Sequence, residues 1–242
     1  MAFFLFFTHK RGLNAIFLHT IMLNITISPE FKEKCPHYCG AAVIASVKNS
    51  EMSSPLWKEI DDEIASIQNQ YDASTIKERP SILATRQAYR TLGKDPSRYR
   101  PACEQLARRV IQGKGLYQIN TIVDIVNLLS LHSGYAAGAI DADKIEGNDI
   151  TLGIGREDEP YEGIGRGVLN ISNLPIYRDN VGGFATPTSD STRTMVSLST
   201  THLLVLINNY DGDKTMLQEA ANYTERLLTS YAEATDITTI YY

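Results

Sequence analysis

The sequence predicts an α+β fold in which a mostly antiparallel sheet carries flanking helices. Three observations lead there. Four stretches between residues 54 and 132 repeat their apolar residues at helical spacing. From Gly138 onward the texture changes to short apolar segments separated by turn residues, and a last helical repeat follows near the end of the chain.

The elements follow in order. Residues 41–48 (AAVIASVK) form a short apolar run that reads as a buried strand. Ser54 as N-cap and Pro55 in the first turn start a helix in which Leu56, Ile60, Ile64 and Ile67 recur at helical spacing. A second helix is predicted over residues 81–92, ending at Gly93. A third is predicted over 101–112, with Leu106 and Val110 inward and Gly113 just past its end. Residues 121–132 make the fourth, closed by Gly134. Its apolar positions Ile122, Ile125, Val126, Leu128 and Leu129 cover more than one face, so it is expected to be largely buried. Strands are predicted at 139–140, 150–154, 174–177, 194–198 and 202–207, several of them in one sheet. An amphipathic helix over 214–231 turns Leu217, Ala220, Ala221, Leu227 and Leu228 inward, and residues 235–242 are expected to fray. Residues 1–21 are expected to be a disordered or artefactual extension; a start at Met22 leaves one domain over 22–234.

Composition excludes several classes. With 43% hydrophobic and 21% charged residues the chain is an ordinary folded protein, neither collagen-like nor disordered. Its cysteines, Cys35, Cys39 and Cys103, are too few for a disulfide framework, which points to a reducing compartment and hence the cytoplasm. The opening apolar run at residues 2–7 is far shorter than the roughly 20 residues of a spanning helix. Its charges, Lys10 and Arg11, follow the run instead of preceding it as in a signal peptide, so no membrane partner is expected. A net charge of -5 argues against nucleic acid, but its distribution reverses part of that argument. Residues 86–114 hold eight basic and two acidic side chains, a local +6, which leaves -11 elsewhere. Such a window can bind phosphates.

Several clusters carry candidate chemistry. Asn120, Asp124 and Asn127 fall at i, i+4 and i+7 on the fourth helix, within about 60° of arc. A polar stripe on a buried helix must be satisfied, either by neighbouring loops or by a pocket that it lines. Asp141 and Asp143 alternate with Ala142, as in a strand or bulge. They lack further ligands at metal spacing, and loop-organising hydrogen bonds are the expected role. Cys35 and Cys39 have no second half-site for zinc, so neither a metal nor a cofactor is expected. Residues 163–167 (GIGRG) lack the strand-turn-helix setting of a dinucleotide fingerprint and read as a turn. The hydroxyl-rich stretch 189–194 (SDSTRT) either makes local turns or holds an anionic or ribose-bearing ligand through Ser191, Arg193 and Thr194. His132 and His202 fall in apolar periodic runs and read as core residues.

Residues 119–127 (INTIVDIVN) and 134–147 (GYAAGAIDADKIEG) resemble the B3/B4 domain of the phenylalanyl-tRNA synthetase β subunit. That family reads approximately I-N-x-x-V-D-x-x-N, then G-x-P-x-x-A-x-D-x-D-K-I-x-G. The stretch 89–101 (YRTLGKDPSRYRP) looks like the lead-in of stand-alone members, and the similarity extends over about 22–234 with no room for an aminoacylation domain. The family pattern carries a Pro and then a His where this chain has Ala136, Ala137 and Gly138. Of its glycine-rich G-x-M-G-G element only residues 181–184 (VGGF) are reminiscent. The resemblance implies an editing-domain-like fold that binds tRNA or aminoacyl-tRNA and hydrolyses mischarged esters, or else a non-catalytic module for RNA or a free amino acid. The pocket it implies is walled by Asn120, Asp124, Asn127, Asp141 and Asp143 and closed by Ser191, Arg193 and Thr194. Arg98, Arg100, Arg108 and Arg109 are expected to meet phosphates, with Tyr89 or Tyr99 stacking on a base.

Overall fold

In the computed structural model the described residues are 23–242. The expected extension over 1–21 and the start at Met22 lie outside the described residues. Strand β1 (Asn24–Ile27) leads through Ser28, which caps α1 (Pro29–Lys34), into β2 (Cys39–Ser46). Four helices follow, α2 (Ser54–Gln70), α3 (Pro80–Leu92), α4 (Ala102–Ile111) and α5 (Thr121–Ser133). The cap of α2 is Ser53 and not Ser54: its hydroxyl accepts from the Leu56 amide, which places Pro55 in the first turn. Gly93 and Gly134 end α3 and α5 with φ of 90° and 73°, a left-handed turn that a Cβ would disfavour. Next come β3 (Ala136–Asp141), β4 (Asp149–Ile154), β5 (Glu162–Gly163), β6 (Gly167–Val168), β7 (Pro175–Arg178), β8 (Gly183–Ala185) and β9 (His202–Asn209). Helix α6 (Lys214–Tyr231) and β10 (Thr235–Tyr241) follow.

The larger strands form two four-stranded sheets, in the orders β10-β2-β9-β3 and β1-β4-β7-β8, where one sheet was expected. The first is wholly antiparallel; in the second only β1 and β4 run parallel. Ala41, Val43 and Ala45 of β2 and Leu203, Val205 and Ile207 of β9 pack on α2, α5 and α6. The alternate residues Ala42, Ile44, Leu204 and Leu206 pack on Ile150, Leu152, Tyr177 and Phe184 of the second sheet. Burial on both faces makes β2 and β9 continuous apolar runs with no alternation. Hydrogen bonds across the sheets are concentrated at Asn208, whose Oδ1 accepts from the Tyr38 and Tyr177 hydroxyls at 3.1 and 2.9 Å.

Two further expectations fail. Residues 194–198 form no strand: 192–194 is a 3-10 turn, and Met195 makes one bridge to Ile140. Local hydroxyls take over its backbone, since Ser191 Oγ accepts from Arg193 N at 3.2 Å and Thr200 Oγ1 from Ser197 N at 2.9 Å. The tail does not fray either. Strand β10 pairs with β2, and the Tyr242 hydroxyl meets that of Tyr177 at 2.8 Å, so sheet hydrogen bonds and aromatic packing hold it. Among the described residues no helix is long and apolar enough to cross a membrane.

Candidate functional site

Strand β3 is an edge strand, and its free side opens on a cavity of about 350 Å³. Helices α4 and α5, the β5–β6 hairpin and the loop over 188–196 close it. Helical spacing sets Leu106 of α4 and Val123 and Val126 of α5 as apolar walls, with Ala137 and Ala139 of β3 as a low floor. Asn120 caps α5, its Oδ1 accepting from Val123 N at 3.0 Å. Asn127 projects into the hollow two turns on, half-buried, and its amide has no hydrogen-bond partner among the described residues.

The remaining polar side chain of consequence is Asp190. Spacing does not distinguish it; the only trace in the sequence is an acid set among hydroxyls. Its loop is pinned: the Ile164 amide donates to the Asp190 carbonyl at 2.9 Å, the Tyr161 hydroxyl to the Ser189 carbonyl at 2.8 Å, and Ser189 N to Thr186 Oγ1 at 3.0 Å. The carboxylate lies over Gly138, where a Cβ would stand 2.6 Å from Oδ2 and 2.9 Å from Oδ1. Burial pushes the Asp190 carboxyl up to about 7, although the Ala139 and Thr186 amides pull the other way. At the rim, Arg166 donates to Gln105 Oε1, and Gln105 Nε2 donates to the Arg100 carbonyl at 2.6 Å.

Of the expected pocket residues the fold brings together Asn120 and Asn127. Asp124 points instead at α2, where it accepts from Trp57 Nε1 at 2.8 Å and from Ile119 N at 3.2 Å; burial raises its pKa. The stripe therefore divides between two neighbours. Asp141 accepts from Thr200 Oγ1 at 2.8 Å and pairs with Lys144 at 3.2 Å, while exposed Asp143 meets His202 Nδ1 at 2.9 Å. A 3-10 turn over 142–144, in place of a strand, sends these carboxylates apart. Ser191 caps the next 3-10 turn, Thr194 Oγ1 is close to the Phe184 carbonyl at 3.4 Å, and Arg193 grips both oxygens of Asp179 at 2.9 Å. Burial raises the Asp179 carboxyl, but Arg193 and three backbone amides outweigh it and hold it low. These three side chains hold the second sheet and do not close the cavity. His132 and His202 are also not core residues: each lies at the surface against an acid, Glu63 and Asp143.

Much of the basic window is committed to internal contacts, although its net charge stays at +6. Glu104, wholly buried, takes Arg86 at 2.8 Å and Arg108 at 2.7 Å, with Arg100 at 3.6 Å. Arg108 also donates to the Ala73 carbonyl, and Lys94 to the carbonyls of Asn170 and Ser172. Tyr89 is fully buried with its hydroxyl on Thr188, so it cannot stack on a base. Lys94 already covers the Tyr99 ring at 3.8 Å. Arg109 lies 3.8 Å over the Tyr117 ring, whereas Arg98 is exposed and free of ion pairs among the described residues.

Among the described residues no group of three or more His, Cys, Asp or Glu is placed to hold a metal ion. No curated protein matches the chain. Among solved structures, an N-terminal fragment of the phenylalanyl-tRNA synthetase beta subunit from Pyrococcus horikoshii aligns over 90% of this chain with 12% identity and a TM-score of 0.47. The chain spans 54% of that fragment. The B3/4 domain matches residues 84–233, a span that runs from α3 through α6 and includes every cavity wall described above. The chain therefore belongs to the B3/4 domain family.

Proposed function

We propose that the chain binds the aminoacylated 3′ end of a tRNA in the cavity beside β3 and hydrolyses the ester of mischarged tRNA. The observation that carries this reading is the pairing, in one apolar hollow, of an amide without an internal partner, Asn127, and a carboxylate without a counter-ion, Asp190. At about 350 Å³ the hollow is at the small end of ligand sites, the size of an aminoacyl group and not of a nucleotide. The terminal adenosine then stays at the mouth, beside Arg166.

The ester is already activated, so a positioned water and a donor for the developing oxyanion suffice. Asn127 is the donor in this reading. Water is the nucleophile, because the lining carries neither Cys nor His and Ser189 Oγ donates to the Ile164 carbonyl at 3.2 Å. Phosphates would be met by Arg98 and Arg100, on the segment that touches the cavity wall where Ala102 N donates to Pro187 O at 2.8 Å, and by Arg109. Three free thiols fit a cytoplasmic setting.

A second reading, a non-catalytic module for RNA or a free amino acid, is favoured by Gly138, which offers no side chain to relay a proton. Incubation with tRNAs carrying correct and incorrect amino acids separates the two. Accelerated ester loss for at least one pair supports hydrolysis. Binding without acceleration for any pair removes it and leaves the module.

A further inference from the structure

We infer that Asp190 receives an ammonium group, so that the cavity accepts aminoacyl ligands with a free amine and rejects their N-acylated forms. This rests on the proposed reading that an aminoacyl group occupies the hollow. The geometry comes first. The carboxylate stands on the free edge of β3, over a glycine whose missing side chain leaves it the space, and its loop is hydrogen-bonded on both sides. It is set, not mobile.

No Lys, Arg or His side chain pairs with it among the described residues, although Arg178 and Arg193 on neighbouring elements are both paired with other acids. An ionised carboxylate beside Val123, Val126 and Ala139 is poorly solvated and gains from any cation that enters. Arg166 is held at the rim by Gln105, so the cation has to come with the ligand. An aminoacyl ester brings one, its α-ammonium, a short distance from the carbonyl that Asn127 would hold. Charge-assisted hydrogen bonds of this kind are about twice as strong as neutral ones. Acylation removes the charge and leaves one neutral N–H in place of three charged donors.

The test uses the whole chain, at about pH 7, with the amides of alanine, valine, leucine, phenylalanine and tyrosine and with their N-acetyl counterparts. NMR is used to follow the backbone signals of Gly138, Ala139 and Asp190. The free amides are expected to shift these signals, and N-acetylation or Asp190→Asn to weaken binding by roughly tenfold or more. Gly138→Ala, which keeps the carboxylate but crowds it, is expected to weaken binding as well. Equal binding of free and acetylated amides, or no binding of any amide at millimolar concentration, overturns the inference.

A parallel arm compares aminoacyl-tRNA with N-acetyl-aminoacyl-tRNA. If tRNAs are neither bound nor deacylated while amides still bind at Asp190, the tRNA reading fails and this inference stands. If tRNAs are deacylated regardless of acetylation, the tRNA reading stands and this inference fails. Slower deacylation in Asp190→Asn with unchanged affinity for free and acetylated ligands makes Asp190 a base, and also overturns it.

Discussion

Replacing Asp190 by Asn should stabilise the protein, and only above a defined pH. The carboxyl stands at about 7 in the folded chain against an ordinary value of 3.8. Below pH 3.8 it is protonated in both states and contributes nothing to the difference. Between 3.8 and about 7 the unfolded chain holds fewer protons than the folded one, so stability falls as pH rises, and above 7 the loss is complete. At about 1.4 kcal/mol per pH unit the ceiling is about 4 kcal/mol. Part of the side chain reaches the cavity, and solvent there reduces the figure to about 2–4 kcal/mol. Asparagine keeps the shape and one acceptor for the Ala139 and Thr186 amides while removing the charge. Urea unfolding of both proteins from pH 4 to pH 8.5 isolates the effect, because every other titrating group cancels in the comparison. The two should match near pH 4 and diverge by about 2–4 kcal/mol at pH 8, or by about 2–4 °C in melting temperature for each kcal/mol. A constant offset across the range, or a variant less stable at pH 8, refutes the account of Asp190 as an uncompensated buried charge.

The other predictions concern side chains already assigned a role. Glu104→Gln leaves Arg86 buried against half a partner and should cost about 3–5 kcal/mol by urea unfolding. Arg98→Ala should change stability by less than about 0.5 kcal/mol but weaken tRNA binding and lower its salt slope by about 1. Arg193→Ala should cost about 2–3 kcal/mol at neutral pH. That cost should shrink in acid, because the lowered Asp179 carboxyl contributes stability that is lost as pH falls through its folded value. Asn127→Ala should alter stability by less than about 1 kcal/mol and slow deacylation about 100-fold. Asp124→Ala should do the reverse, costing about 2–3 kcal/mol through the orphaned Trp57 indole while folded protein keeps its rate.

Helix positions were legible because their signals are local. Pro55, Gly93 and Gly134 mark termini by their own backbone preferences, and the predicted bounds of the second to fourth helices differ from the observed ones by one residue or so. Sheet membership was not legible. β4 and β9 have equally good apolar patterns, yet they lie in different sheets, and nothing within either strand encodes its partner. The tail misled for a related reason. Residues 235–241 are threonine-rich and half-exposed, and they are ordered by the edge of β2, almost two hundred residues earlier in the chain.

The site divides along the same line. Helical spacing put Asn120, Asp124 and Asn127 on one arc, but an arc of 60° is wide enough to serve two neighbours. Trp57 of α2 lies on one side of it and the hollow on the other. The Asp124 carboxylate accepts an indole N–H on one oxygen and a backbone amide on the other, whereas the Asn127 amide, in a hollow walled largely by apolar side chains, has no partner among the described residues. Whether a polar group finds a partner inside the fold is a property of neighbours remote in sequence. The same reasoning applies to the basic window, where buried Glu104 engages three of the arginines and a count of charges along the chain cannot show which ones. It also explains why Asp190 emerges only from coordinates. The glycine that makes room for it lies 52 residues earlier, on a strand edge that no local pattern identifies.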